Sequence, residues 1–297
     1  MNYHFKETKI HRELKNICKY YIDSYNALYQ LKTNNEEEIK SIYNKIKTEL
    51  IETNKQLPRN VIKNILHIIP FNNRCTKSYL SLAKFIYDDY HIKEVKDLSL
   101  VTNYLFYKEY GIKLHKTDDF KKIQTKNLDL LSNDTIYRAI MNNDTERLIK
   151  FTESGNFYVK NQRIKSKLYP FSENGYSLLE LCCYYGSFDC FKFLRTKFKS
   201  EITQRCLNLS YLGRNQAIIS ECLNNEWPDE ESLEYAIISH NINFVTYVMK
   251  ENNFNIDVEC CGQYHNIEAF LIYFDLTNDA NQCFFESTMF DVPHLTE

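Results

Sequence analysis

Cys261 and His265 stand in a Cys-x-x-x-His spacing with Cys260 beside them, and thiolates and imidazoles are the ligands that zinc prefers. A structural zinc site needs four such ligands at matching spacing. No Cys-x-x-Cys occurs in the chain to complete one. Nucleophilic catalysis would need a Cys or Ser placed beside a base, and a chain of this size holds all the required types by chance. The spaced motifs that mark such sites are missing: His-Glu-x-x-His, Gly-x-Ser-x-Gly, a phosphate-binding loop and a dinucleotide fingerprint. The carboxylate runs Glu36 to Glu38 and Asp229 to Glu231 fit helix starts, where negative charge meets the positive end of the helix dipole. The expectation is a protein without catalytic residues, metal or cofactor.

The elements that would carry these residues are helices. With 43% hydrophobic and 26% charged residues the 297-residue chain has a globular composition, and 6 Gly and 5 Pro leave little room for hairpin-rich sheets. No stretch has the eighteen or so unbroken apolar residues of a membrane span. Met1 to Lys15 lacks the apolar core of a secretory signal, so the ten Cys are expected to be reduced thiols in a cytoplasmic protein.

Net charge hides an asymmetry. Residues Met1 to Leu130 hold 23 basic and 16 acidic side chains (+7), and Leu131 to Glu297 hold 14 and 23 (−9), which sum to −2. The densest basic cluster is Lys113, Lys116, Lys121, Lys122 and Lys126, interrupted by Asp118 and Asp119. A scattered pattern of this kind reads mainly as solvated helix faces. Nucleic acid or an anionic surface is the lesser expectation.

In the first part, Ile39, Ile42, Ile46 and Leu50 form one helical stripe, with Asn35 and Glu38 spaced as a capping box. Pro58 opens a second helix carrying Val61, Ile62, Ile65, Leu66 and Ile69, and Pro70 closes it before a turn at Asn72 and Asn73. Two more helices are expected over Thr76 to Tyr90 and Asp97 to Tyr110, with Gly111 as C-cap. The polar stretch Asp118 to Asn127 places a boundary between regions 1–128 and 129–297.

The second region repeats. Turns are expected at Asn143, Gly186, Gly213, His240, His265 and Asp291, separated by 43, 27, 27, 25 and 26 residues. Gly, Asn, Asp and His tolerate positive φ, as a helix-turn-helix hairpin requires. Seven residues before each turn lie Ile136, Leu179, Cys206, Leu233, Val258 and Phe284, all apolar. Four before lie Ala139, Cys182, Leu209, Ala236, Cys261 and Ser287, all small except Leu209. Five after lie Leu148, Phe191, Ile218, Val245, Phe270 and Thr296. The segment Asn156 to Glu173 reads as an inserted loop, and the last unit, ending in Leu295, Thr296 and Glu297, holds only the opening of a second helix. That unit is expected to belong to a longer protein or to meet another surface, including a second copy.

Gly175-Tyr176-Ser177-Leu178-Leu179-Glu180-Leu181-Cys182-Cys183-Tyr184-Tyr185-Gly186-Ser187 resembles the ankyrin-repeat frame G-x-T-P-L-H-x-A-A-x-x-G-H, with Cys190, Phe191 and Leu194 following in the second helix. The whole chain, including Leu57 to Pro70 and Tyr104 to Gly111, is similar to divergent ankyrin-repeat proteins of protists. The resemblance implies an all-α, ankyrin-like helix-turn-helix solenoid preceded by a helical region, and a scaffold for an unidentified protein partner. Leu178 and Glu180 depart from the frame's Pro and His, and the short units imply shortened or missing β-hairpin fingers. The partner is then expected on the concave helix and turn face, through Tyr184, Tyr185, Tyr211, Arg214, Ser239 and Asn241. The tyrosines among them fit equally well as covers for a neighbouring helix.

Overall fold

Short polar side chains start most of the helices. In the computed structural model, residues 7–123, 128, 135–153, 157–159, 162–171, 174–252, 254–292 and 295 are described. Thr8 caps α1 (Lys9–Ile17), which leads into α2 (Lys19–Tyr29). Asn35 accepts the backbone N–H groups of Glu37 and Glu38 and opens α3 (Glu36–Ile46), which continues as a π-helical stretch, Lys47–Thr53. Pro58 occupies the first turn of α4 (Pro58–His67), and Pro70 lies in the 3-10 turn that follows. α5 (Thr76–Asp89) packs against α3, α4 and α6 (Leu100–Tyr110), and buries Tyr79, Leu82, Ala83 and Ile86 completely. Ser99 caps α6, three residues later than the expected start, and Gly111 ends it at φ 70°.

Hairpins follow in the second region. They are α7 (Ile136–Met141) with α8 (Thr145–Thr152), α9 (Leu178–Tyr185) with α10 (Phe188–Phe198), and α11 (Gln204–Gly213) with α12 (Gln216–Leu223). Next come α13 (Glu230–Ile238) with α14 (Ile242–Asn252), α15 (Val258–Gln263) with α16 (Ile267–Thr277), and α17 (Ala280–Ser287). The first helices stack in chain order, α7 on α9, α9 on α11, α11 on α13, α13 on α15 and α15 on α17. The fold is all-α. Among the described residues the only sheet is β1 (Arg163–Ile164) paired antiparallel with β2 (Tyr176–Ser177), Arg163 opposite Ser177. The segment expected as a bare loop therefore carries one short finger. Glu180, a departure from the ankyrin frame, completes a capping box: its carboxylate accepts the Ser177 N–H at 2.6 Å while Ser177 Oγ accepts the N–H of Glu180.

Five of the six expected turn residues take the left-handed conformation: Asn143 (φ 54°), Gly186 (67°), His240 (52°), His265 (58°) and Asp291 (55°). Gly213 does not. It is the last residue of α11, and Arg214 makes the turn at φ 54°. Shifting that unit by one residue puts Leu207 and Ser210 where Cys206 and Leu209 were expected, so the small position is small in all six units: Ala139, Cys182, Ser210, Ala236, Cys261 and Ser287, each buried. Phe284, at the apolar position of the last unit, is 60% exposed. Thr296 and the residues just past the 128/129 boundary lie outside the described residues.

Gly213 is glycine for a different reason. A Cβ there would lie 2.0 Å from Cys183 O and 2.7 Å from Gly186 N, and one on Gly186 would lie 2.4 Å from Gly213 O. The α9 and α11 backbones cross in contact at this point. Gly213→Ala must push the two helices apart and is expected to lower stability by about 1–3 kcal/mol, as overpacking does elsewhere. Urea unfolding followed by circular dichroism measures it, and an unchanged midpoint would contradict the backbone contact.

Candidate functional site

Helix C-termini leave carbonyls without intrahelical donors and carry partial negative charge. The turns gather the C-terminal ends of α7, α9, α11, α13 and α15 on one edge of the stack, together with the 3-10 turn Thr288–Phe290. Donors come largely from the first region. Arg74 Nη2 donates to Met141 O at 2.6 Å and to Tyr185 O at 2.9 Å, joining the ends of α7 and α9. Gln30 donates to His240 O at 2.7 Å, and Gln56 to Phe290 O at 3.4 Å. Arg214 Nη2 joins the end of α2 to that of α13 through Tyr29 O (3.0 Å) and Ser239 O (2.7 Å).

α2 lies along this edge. Tyr21, Tyr25 and Tyr29, four residues apart and thus on one helix face, are all buried. The Tyr21 hydroxyl is 2.7 Å from His265 Nδ1 and the Tyr25 ring stacks on His265 with centroids 4.4 Å apart. Tyr29 stacks on His240 at 4.1 Å and 16°. His240 Nδ1 lies 2.8 Å from Asn26 Oδ1, and Nε2 lies 2.8 Å from Tyr264 O, at the end of α15. Two oxygen acceptors favour the imidazolium, and burial opposes it. Burial wins, holding the pKa of both His240 and His265 down at about 3.

The six residues expected to meet an outside partner are correspondingly placed, and four are closed to one. Tyr184, Tyr185, Tyr211 and Ser239 are all buried. Tyr184 OH donates to Pro70 O at 2.8 Å and accepts the N–H of Asn73, and Tyr185 OH donates to Asn73 Oδ1 at 2.8 Å. Tyr211 packs on Phe244. Ser239 Oγ bonds Ala236 O within its own helix. Arg214, half-buried, clamps α2 as above. Asn241 is half-buried, and its Oδ1 accepts the N–H of Asn243 at the start of α14. The correction has two physical reasons: the chain's own first region covers Tyr184, Tyr185 and Arg214, and packing inside the stack buries Tyr211 and Ser239. The structure unites these residues with Tyr21, Tyr25, Tyr29, Gln30, Gln56 and Arg74, which motif reading passed over. Only the four-residue tyrosine spacing in α2 announced them.

Cys261 fills its small core position, and burial pushes its thiol up, away from the thiolate that a metal would need. Among the described residues no group of three His, Cys, Asp or Glu side chains is placed to hold a metal ion. Lys113 turns onto Asp118 O at 3.1 Å and over the Phe120 ring at 4.6 Å, while Lys126 and the Lys122 side chain lie outside the described residues. No helix among the described residues is long and apolar enough to cross a membrane.

Residues 198–273 match the family model of a domain of unknown function (DUF3447). The match spans the third and fourth hairpins and most of the fifth, the part of the row against which α2 lies. No curated protein and no solved structure matches the chain.

The two stacked histidines make stability depend on pH. Their folded pKa lies below the unfolded value near 6.5, so the unfolded chain binds more protons between those limits and stability falls as pH drops from about 6.5 toward 3. Each contributes at most about 1.4 kcal/mol per pH unit. Urea midpoints measured across this range should fall less steeply in a His240→Gln/His265→Gln variant than in the wild type. Parallel curves would show that neither ring is neutral in the folded state.

Proposed function

We propose that the chain is a non-enzymatic protein-recognition scaffold of the ankyrin-repeat kind, whose free contact edge is the side opposite the turns. One feature carries this: the turn edge is filled by the chain itself, while the segments joining one hairpin to the next expose large aromatics. Tyr158 (68%) and Phe171 (50%) lie in the connection from the first hairpin to the second, and Trp227 (79%) in that from the third to the fourth. Exposed Trp and Tyr on a rigid framework suit protein recognition, because they offer much contact area for little lost freedom. A reducing, cytoplasmic setting is part of the same proposal. All ten Cys are buried and unpaired, as intracellular thiols are.

Trp227 is the only tryptophan, so its fluorescence reports on that edge alone. A protein partner bound there shifts its emission to the blue, and Trp227→Ala weakens the complex by about 2 kcal/mol or more. A partner whose binding moves neither quantity would place recognition elsewhere.

A second reading has its own observation. The outer face of α17 exposes Phe284, Phe285 (71%) and Met289 together with Ala280, Asn281, Gln282 and Thr288, none of them charged. This is the face that the five preceding first helices cover with the next unit. On this reading two copies pair through α17, covering the exposed Phe284, Phe285 and Met289 in a self-facing contact. Sedimentation should show a concentration-dependent dimer that Phe284→Glu/Phe285→Glu abolishes. A monomer at every concentration would remove the self-association reading.

A further inference from the structure

We propose that the cleft between Arg74 and Arg214 binds a small oxyanion, phosphate or sulfate, free or as the terminal group of a small molecule. The cleft lies between the loop after α4 and the second and third turns of the stack. Its volume is about 120 Å³, and its lining includes Lys32, Asn72, Arg74, Tyr184, Tyr185 and Arg214, with no carboxylate. A cleft of this size has room for several water molecules, and so for a four-oxygen ion.

Charge supplies the reason. Each guanidinium uses Nη2 on two helix-end carbonyls. Such ends carry roughly half a negative charge apiece, which offsets the two arginines but not the third cation. Lys32, exposed at the rim, pairs with no carboxylate among the described residues, and neither does Arg74 or Arg214. Nη1 of both arginines makes no hydrogen bond to the described residues and is left for a ligand. Burial lowers the Arg214 pKa to about 10, a sign that its charge is held in a poorly solvated place. Two planar guanidinium groups and one ammonium lining the same cleft are donor types suited to a tetrahedral oxyanion. Filling the cleft would also draw the first region and the stack together, since Arg74 and Lys32 come from one and Arg214 from the other.

Calorimetric titration of the full chain with inorganic phosphate, and separately with methyl phosphate, tests this at constant ionic strength against chloride. One saturable site is expected for phosphate and none for chloride. Tighter binding of the ion assigns the site to free phosphate, and tighter binding of the ester assigns it to a phosphorylated small molecule. Arg74→Gln and Lys32→Gln alter exposed side chains, and circular dichroism verifies their fold. Each should weaken binding by about tenfold or more. No saturable binding, or binding unchanged in both folded variants, overturns the proposal.

Discussion

Six helical segments end on the same edge of the stack, and an end that stops in protein must still find donors for its last carbonyls. That requirement shapes the rest of the molecule. Arg74, Gln30, Gln56, Arg214 and His240 meet it, and each comes from, or is held by, a segment far away in sequence. The first region supplies many of these donors from a distance in sequence. It is the layer that completes the turn edge.

A shared core follows from this arrangement. Tyr21, Tyr25 and Tyr29 are buried as deeply as the leucines of α9 and α11, and they are buried against histidines of the stack rather than only against their own helices. Aromatic stacking adds to the area term here, and both ring nitrogens of His240 and Nδ1 of His265 are tied by hydrogen-bond contacts. Removing the first region would leave arginine, histidine and carbonyl groups facing water along one whole edge. The opposite edge, where hairpins connect, has no such cover over Trp227 and Tyr158.

Local rules were readable from the residues alone. Caps at Asn35 and Asp229, the C-cap at Gly111, most of the left-handed turns and most of the small positions depend on neighbours within a few residues, and their spacing showed them. The Gly213 turn was misplaced by one position because glycine serves two purposes, permissive φ and close approach, and residue type cannot separate them. What lies on the turn edge was hidden for a different reason. Arg74 and Tyr185 are 111 residues apart, and a donor for a helix-end carbonyl has no periodicity of its own. Tyr184, Tyr185 and Arg214, which suggested an outside partner, bond to the chain's own first region, and sequence types are identical in the two cases.

The meeting of Gly186 and Gly213 also bears on the shape of the row. Helix axes usually stand 8–10 Å apart according to the side chains between them, and at this rung no side chain intervenes. The second and third hairpins are thus pinched together on the turn side, where the α9 and α11 backbones meet without a spacer. A side chain larger than hydrogen at either position would act as a wedge at this joint, so the spacing of the two hairpins is set by two missing methyl groups.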